Sequence, residues 1–552
     1  LNELVFLPLG GVGEIGMNLA LYGYGPAEDR EWIIIDCGVS FAGPEHPGVE
    51  LVLPDISFIE AHRDSLHGIV ITHAHEDHYG ALLSLWPRLK VPVFATPFTA
   101  GMLQAKREGE PGAPKIPVTV FRAGERFKVG PFDLEAINVT HSIPEPVSLA
   151  IRTPLGTVLH TGDWKIDHHP ALGDPTDEKR LREIGEEGVL AIVCDSTNAL
   201  REGISPSESE VGESLTDIIE KSPGRVAVTT FSSNVGRIKA VALAAAAAGR
   251  QTLLMGRSMR RVVDVANELG YLDGVPPFVD ESEFGYLPRD KAVILMTGSQ
   301  GEPRAALARI ARDDHPQIAL SKGDLVIYSS RTIPGNERGI VDIQNLLIER
   351  GIDILEDGDA LVHVSGHPRR AELRQMYDWI KPRIAVPVHG ESAHLTAHEE
   401  LAKSLGVKEV VRVRDGRMLR LAPGAAEIVE QVPFGRLYRD GFLVGNEEEM
   451  GIAERRRFSY AGHVSVLVEL AGNSDLRDDP DVVCVGLPKR DGEGDDMEEL
   501  LIDAVAEAVE SIPRQRRKDN ELVREAARRA VRAAANNAWG KKPMVTVFVT
   551  RG

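Results

Sequence analysis

The sequence predicts an α/β protein in which a mixed sheet-and-helix domain is interrupted by a second, parallel one and followed by a small α+β tail. Three observations carry this. Short apolar runs of strand character alternate with helical patterns over residues 1–205. From 206 to 354 the alternation becomes regular strand–helix repeats, the pattern of a parallel sheet. Buried-strand character then returns at 360–364, 384–388 and 410–413, as it would if an insertion ended and the first domain were being completed.

In order, strands are expected at 4–7, 18–22, 32–35, 68–71, 91–95, 118–121, 132–137 and 157–160, with helices at 56–62 and 81–88. In the second part, 207–221 reads as a helix and 225–230 as a strand; the alanine-rich 235–248 reads as a helix and 251–254 as a strand. The domains are therefore drawn at 1–205, 206–354 for the insertion, and 355–430 for the completion. Residues 431–455, rich in glycine and charge, are expected to be a linker. The tail, 456–552, has strands at 464–470, 482–487 and 544–550 and helices at 497–511 and 520–538, a compact α+β unit without a catalytic cluster.

At roughly 150 residues per domain, 552 residues allow three or four domains. No run of about 18 apolar residues occurs, and no basic start leads into an apolar segment, which argues against membrane spanning and secretion. Cys37, Cys194 and Cys484 are far apart and fit reduced thiols of a cytoplasmic protein. The net charge of −20 counts against a non-specific nucleic-acid coat protein. It counts less against an enzyme holding a polyanion in a narrow basic channel.

The chemistry is concentrated in Thr72-His73-Ala74-His75-Glu76-Asp77-His78, directly after the apolar run Gly68-Ile69-Val70-Ile71. A buried strand ending in three imidazoles and carboxylates delivers borderline metal ligands to one point, and the lack of nearby cysteine argues against a purely structural zinc knot. One loop cannot fill two coordination spheres. His141 in Thr140-His141-Ser142, Asp163 in Thr161-Gly162-Asp163 and His389 in Val388-His389-Gly390 each follow an apolar strand, where α/β active sites gather. A competing motif, Gly11-Val12-Gly13-Glu14-Ile15-Gly16 with Asp36 downstream, has the spacing of a dinucleotide fingerprint. That fingerprint needs a helix to open at the loop; Met17-Asn18-Leu19-Ala20-Leu21-Tyr22 alternates like a strand, so the segment reads as a hairpin whose glycines let backbone pass close to the metal site.

His73-Ala74-His75-Glu76-Asp77-His78 with His141, Asp163 and Asp36 resembles the HxHxDH pattern of the metallo-β-lactamase superfamily. Asp195, His367 and His389 resemble motifs A, B and C of its β-CASP nucleases, and His389 is the residue typical of RNA-acting members. Pro8-Leu9-Gly10-Gly11-Val12-Gly13-Glu14-Ile15-Gly16-Met17-Asn18, Thr297-Gly298-Ser299-Gln300-Gly301 and Ile333-Pro334-Gly335-Asn336, with the C-terminal domain, narrow the resemblance to the ribonuclease J family. It implies a metallo-β-lactamase αββα sandwich carrying an inserted β-CASP domain. It also implies two divalent ions, Zn2+ and/or Mn2+: His73, His75 and His141 hold one, Asp77, His78 and His389 the other, and Asp163 bridges them.

The expected reaction is hydrolysis of RNA phosphodiesters by a two-metal mechanism, 5′→3′ and favouring 5′-monophosphate ends, with internal cleavage as the family's other mode. Asp77 orients the nucleophile, His367 stabilises the phosphoryl oxygens or protonates the leaving oxygen, and Asp195 and Asp36 support ligands from behind. His363, Val364, Ser365, Gly366 and His367, with Ser232 and Ser233, are expected to hold the substrate's terminal phosphate. Arg237, Arg257, Arg260, Arg304 and Arg331 are candidates to line the RNA path, while Arg514-Gln515-Arg516-Arg517-Lys518 reads as a solvated loop before it reads as an RNA contact. The expected partners are single-stranded RNA, a second or further copies joined through the C-terminal domain as a homodimer or homotetramer, and an RNA-degradation complex. A DNA nuclease, a small-molecule hydrolase and a non-catalytic relative are the alternatives.

Overall fold

The computed structural model describes residues 1–552. Two compact units account for the chain: Leu1–Ser40 with Leu53–Gly435, and Phe41–Val52 with Arg436–Gly552.

The first unit is built on two sheets laid face to face. The eight-stranded sheet includes Asn2–Gly10, Leu19–Pro26, Glu31–Ile35 and Leu66–Val70; the seven-stranded sheet includes Phe132–Asn138, Val147–Thr153, Gly156–His160, Ala191–Asp195 and Ile384–Val388. Alternate residues of both sheets, among them Phe6, Ile33, Leu134, Leu149, Val193 and Val386, interdigitate in one apolar core. The back of the seven-stranded sheet is covered by the helices Glu178–Glu187, Arg370–Ile380 and Ser392–Ser404, through Leu181, Ile184, Met376, Trp379 and Leu401. On the far side of the eight-stranded sheet, Trp32 packs edge-on against Phe58 of the helix Ser57–Ala61. Helices thus lie outside two central sheets, the αββα order.

Inserted between Ala191–Asp195 and Ile384–Val388 is a five-stranded sheet whose strands all run parallel: Gln251–Met255, Ala292–Met296, Val226–Thr229, Leu325–Tyr328 and Asp353–Leu355. Crossover helices cover it, and its inner strands Val226–Thr229, Ala292–Met296 and Leu325–Tyr328 read as nearly continuous apolar runs because both of their faces are buried. In the second unit, the helices Met497–Ser511 and Asn520–Trp539 pack on a three-stranded sheet of His463–Leu470, Asp481–Val485 and Met544–Arg551.

The structure corrects several expectations. The segment 431–455 is not an open linker: Arg436–Asp440 and Leu443–Gly445 pair as a hairpin, Ile452–Ala461 is helical, and Glu50 donates its N–H to the Arg439 carbonyl. Residues 360–364 are buried at Val362 and Val364 but irregular: the Val362 carbonyl accepts from the Arg237 and Ser329 side chains and not from a sheet ladder. Strand Val147–Thr153 and helices Pro97–Glu108 and Glu178–Glu187 are additional to those expected.

Candidate active site

Strand direction brings the predicted ligands together. Phe132–Asn138, Gly156–His160, Ala191–Asp195 and Ile384–Val388 all run the same way, with Arg126–Val129 and Val147–Thr153 opposing them. His141, Asp163, Asp195 and His389 therefore emerge along one edge. In the facing sheet the parallel strands Glu31–Ile35 and Leu66–Val70 deliver Asp36 and the 72–78 segment to the same edge. Gly38 lets this happen: a Cβ there would lie 1.7 Å from the Asp77 carbonyl oxygen. The glycine loop is the turn of an antiparallel hairpin. Its Gly11 carbonyl accepts the His389 N–H, and the Gly13 N–H donates to the Gly390 carbonyl, so it braces the site and opens no helix for a dinucleotide.

Two quartets of donor atoms take in the predicted ligands, His73/His75/His141/Asp163 and Asp77/His78/Asp163/His389, with the atoms of each within 4.8 Å of one another; a third, Asp163/Asp195/His367/His389, meets the same distance and shares Asp163 and His389 with the second. Asp163 belongs to all three. In the first, His73 Nδ1 donates to the Thr72 hydroxyl at 3.0 Å and His141 Nδ1 donates to the Gly366 carbonyl at 2.6 Å. Those bonds fix both tautomers and leave the Nε2 lone pairs free. His73 Nε2 and His141 Nε2 lie 3.1 and 3.0 Å from His75 Nδ1, and 3.8 and 3.7 Å from an Asp163 oxygen. Lone pairs converging on a carboxylate at this distance repel unless a cation lies among them, and burial holds all three imidazoles below the usual histidine range, His75 at about 4. The residues present fit a divalent metal.

In the second quartet, His78 Nδ1 donates to Asp36 at 2.7 Å, and Asp36 in turn accepts the N–H and hydroxyl of Thr72. His78 Nε2 is 3.1 Å from Asp163 and 3.5 Å from Asp77; His389 lies 3.3 Å from Asp77 and 3.1 Å from Asp163. Here burial again opposes the imidazolium, but Asp163 and the neighbouring carboxylates outweigh it and hold both histidines well above their ordinary value. Asp36 and His389 both have left-handed backbones, φ 64° and 52°, which non-glycine residues adopt at a cost.

Beside the quartets, His367 Nδ1 is 2.7 Å from Asp195, and that aspartate also lies 3.4 Å from His389. Burial lowers the His367 pKa, while Asp195 and Asp163 raise it by more, so it ends above the ordinary value. The 363–367 segment wraps the first quartet: a side chain at Gly366 would place Cβ 2.4 Å from His141 Nδ1. The Ser365 hydroxyl accepts from Asn198 Nδ2 at 2.9 Å, Val364 is buried, and His363 has a buried Nδ1 without a partner. Ser232 and Ser233 follow Val226–Thr229 on a half-buried turn and make no hydrogen bond to the histidine cluster.

One expected RNA contact is overturned. Arg237 is fully buried, ion-paired to Glu208 at 2.8 Å and donating to the Val362 carbonyl at 2.8 Å, so it lines no solvent-open path. Arg331 is partly buried and donates to Asn198 Oδ1 at 3.0 Å. Sequence reasoning gave no role to Asn18, the last residue of the glycine-loop motif, whose amide reaches His78 Nε2 at 3.1 Å and the Asp77 carbonyl, and passed over Asn198. Asn198 stands three residues beyond the motif A acid Asp195, which is the only signal it carried.

Comparison with known proteins agrees along the whole chain. Residues 31–180 match the beta-lactamase superfamily domain, 223–347 the ribonuclease J beta-CASP domain, 359–413 the Zn-dependent metallo-hydrolase RNA specificity domain, and 450–552 the ribonuclease J C-terminal domain. The chain is 65% identical to ribonuclease J of Sinorhizobium meliloti, covering 100% of this chain and 98% of that one. It is 36% identical to the Thermus thermophilus ribonuclease J over 100% and 96%, and 41% identical to that of Mycolicibacterium smegmatis over 83% and 82%. A crystal structure of a protein of unknown function from Enterococcus faecalis shares the fold, with TM-score 0.53 and 16% identity over 76% of this chain and 100% of that one.

Proposed function

The chain belongs to the ribonuclease J family, a metal-dependent ribonuclease acting on RNA, and from that premise we propose that it removes nucleotides 5′→3′ from 5′-monophosphorylated single-stranded RNA, with internal cleavage as a second mode. The observation that carries this reading is the position of the 363–367 segment, which bonds to the first quartet through Gly366 and ends in the His367–Asp195 pair. A terminal phosphate seated on that segment would hold the first scissile bond beside the ligands.

His73, His75, His141 and Asp163 would hold one Zn2+ or Mn2+, and Asp77, His78, His389 and Asp163 a second; nitrogen and carboxylate donors without thiolate suit either metal. Bound there, the cations supply Lewis acidity to the attacking water and to the phosphoryl oxygens. Asp77 orients the water for in-line attack on phosphorus as the P–O3′ bond breaks. His367, its pKa raised by Asp195 and Asp163 and its Nδ1 engaged, has Nε2 free to hand a proton to the leaving 3′-oxygen. The released nucleotide keeps a 3′-hydroxyl and the shortened RNA carries a new 5′-monophosphate, so each cycle regenerates the end that the next requires. Asp36 and Asp195 hold His78, and His389 with His367, from behind. His363, Val364, Ser365 and Gly366 form the phosphate-facing turn, with Ser232 and Ser233 contributing from the inserted domain.

Oligomers formed through the C-terminal domain and membership of an RNA-degradation complex belong to the same proposal, as does a cytoplasmic location; no helix is long and apolar enough to cross a membrane. The test is digestion of 3′-labelled RNA bearing 5′-monophosphate, triphosphate or hydroxyl. Mononucleotides released fastest from the monophosphate are expected; equal rates from all three ends would overturn the end-recognition reading.

A further inference from the structure

The turn that carries Ser365 and His367 has no regular secondary structure of its own, so something else must hold its shape. Asn198, 1% exposed and three residues beyond Asp195, does so from below. Its Nδ2 donates to the Ser365 hydroxyl at 2.9 Å and to the His367 carbonyl at 3.0 Å. Its Oδ1 accepts from Arg331 Nη1 of the inserted domain at 3.0 Å. The orientation of this carboxamide is set by its surroundings: a guanidinium can only donate and a backbone carbonyl can only accept, so oxygen faces Arg331 and nitrogen faces the turn. No other side chain of that size offers an acceptor on one side and two donors on the other.

The arrangement has a chemical consequence at Ser365. Its oxygen already accepts from Asn198 and, at 3.4 Å, from the His367 N–H. With both lone pairs engaged, the hydroxyl is left to act as a donor, the polarity that a phosphate oxygen requires. At the same time the His367 backbone is pinned on the carbonyl side by Asn198 while Asp195 holds its ring. Opposite Asn198, the buried Arg237 and the Ser329 hydroxyl both donate to the Val362 carbonyl, so the inserted domain grips the other shoulder of the same turn.

We infer that Asn198 is a positioning residue of this ribonuclease: anchored by Arg331, it polarises Ser365 as a donor and sets the placement of His367, so that docking of the inserted domain is transmitted to the reacting centre. The inference rests on the roles proposed above for Ser365 and His367. Misplacing a reacting group by about an ångström costs about 100-fold in rate.

The decisive variant is Asn198→Asp, which keeps the acceptor for Arg331 but turns an oxygen toward the His367 carbonyl. On 5′-monophosphorylated RNA it is expected to lose about 10- to 100-fold in kcat with KM changed less than about threefold. Metal content should stay unchanged and the preference for monophosphate over hydroxyl ends should collapse, whatever the buried carboxylate costs in melting temperature. In a double-mutant cycle the losses from Asn198→Asp and Ser365→Ala should overlap, whereas those from Asn198→Asp and the surface change Lys403→Ala should multiply. Arg331→Met approaches from the partly buried side of the inserted domain and introduces no charge, and should give the same selective loss at about 3- to 10-fold. Turnover within twofold of the parent in both Asn198→Asp and Arg331→Met, or simple multiplication with Ser365→Ala, overturns the inference. His367→Ala separates the two levels: if it leaves turnover intact, the reading of His367 has failed; if it is impaired while Asn198→Asp is not, the failure belongs to Asn198.

Discussion

The two halves of the site use the same residue type at similar depth yet shift its pKa in opposite directions. His73 and His141 rest their outer nitrogens on neutral acceptors, the Thr72 hydroxyl and the Gly366 carbonyl, and burial keeps them, with His75, neutral. His78 has Asp36 at Nδ1 with Asp163 and Asp77 facing Nε2, while His389 has Asp163 and Asp195 at Nδ1 and Asp77 at Nε2, and these carboxylates push both well above the ordinary histidine value. The left-handed backbones fall on this side too, at Asp36 and His389. What stands behind an imidazole therefore decides what it is before a cation arrives. The first half is ready to ligate as folded; the second is more basic and must shed protons first.

The largest effect would come from removing what the halves share. Asp163→Asn takes a charged ligand from both quartets and should leave neither position filled, with turnover down by about a thousandfold, since cation stabilisation is worth several kcal/mol. Elemental analysis beside single-turnover kinetics would show it; a variant that still carries a full metal complement would break the idea of a common bridge. A smaller and one-sided loss is expected from Asp36→Asn. It should weaken only the His78 position, by about 10- to 100-fold in affinity, as other outer carboxylates do. Chelator titration should then reveal one tight and one weakened class, and equal weakening of both would erase the contrast.

The finest test is proton counting. Because the His78 and His389 pKa values are raised, both keep a proton at pH 7 without metal, and filling their position should expel up to two. His73, His75 and His141 are lowered and have none to give. Apparent affinity at the second position should therefore climb with pH until it passes the raised values, while the first stays flat above about pH 6, near the unperturbed histidine pKa. Calorimetry in buffers of different ionisation enthalpy measures the protons released; equal release at both positions would contradict the assignment.

Local spacing made much of this legible. The 72–78 segment, and a polar residue after each of three apolar strands, were readable because metal ligands need few residue types at strand ends. The parallel repeats of the insertion were readable because fully buried strands are apolar throughout. Arg237 misled because an arginine is ordinarily solvated; here Glu208, far along the chain, neutralises it in the interior. The hairpin within 431–455 misled because glycine and charge look alike in linkers and in exposed strands. Asn198 was silent because an asparagine's use depends wholly on what surrounds its two ends.

Residue types and their short-range order were thus sufficient to point to the candidate ligands, and to specify the α/β layering and the interrupted domain, all of which follow from periodicity and from which atoms can donate a lone pair. Tertiary structure alone decided how those ligands divide into quartets, which imidazoles carry protons and what pins the 363–367 turn. Those properties are set by charges and hydrogen-bond partners that lie up to a few hundred residues apart in the chain but only a few ångströms apart in the fold, and no local pattern encodes such meetings.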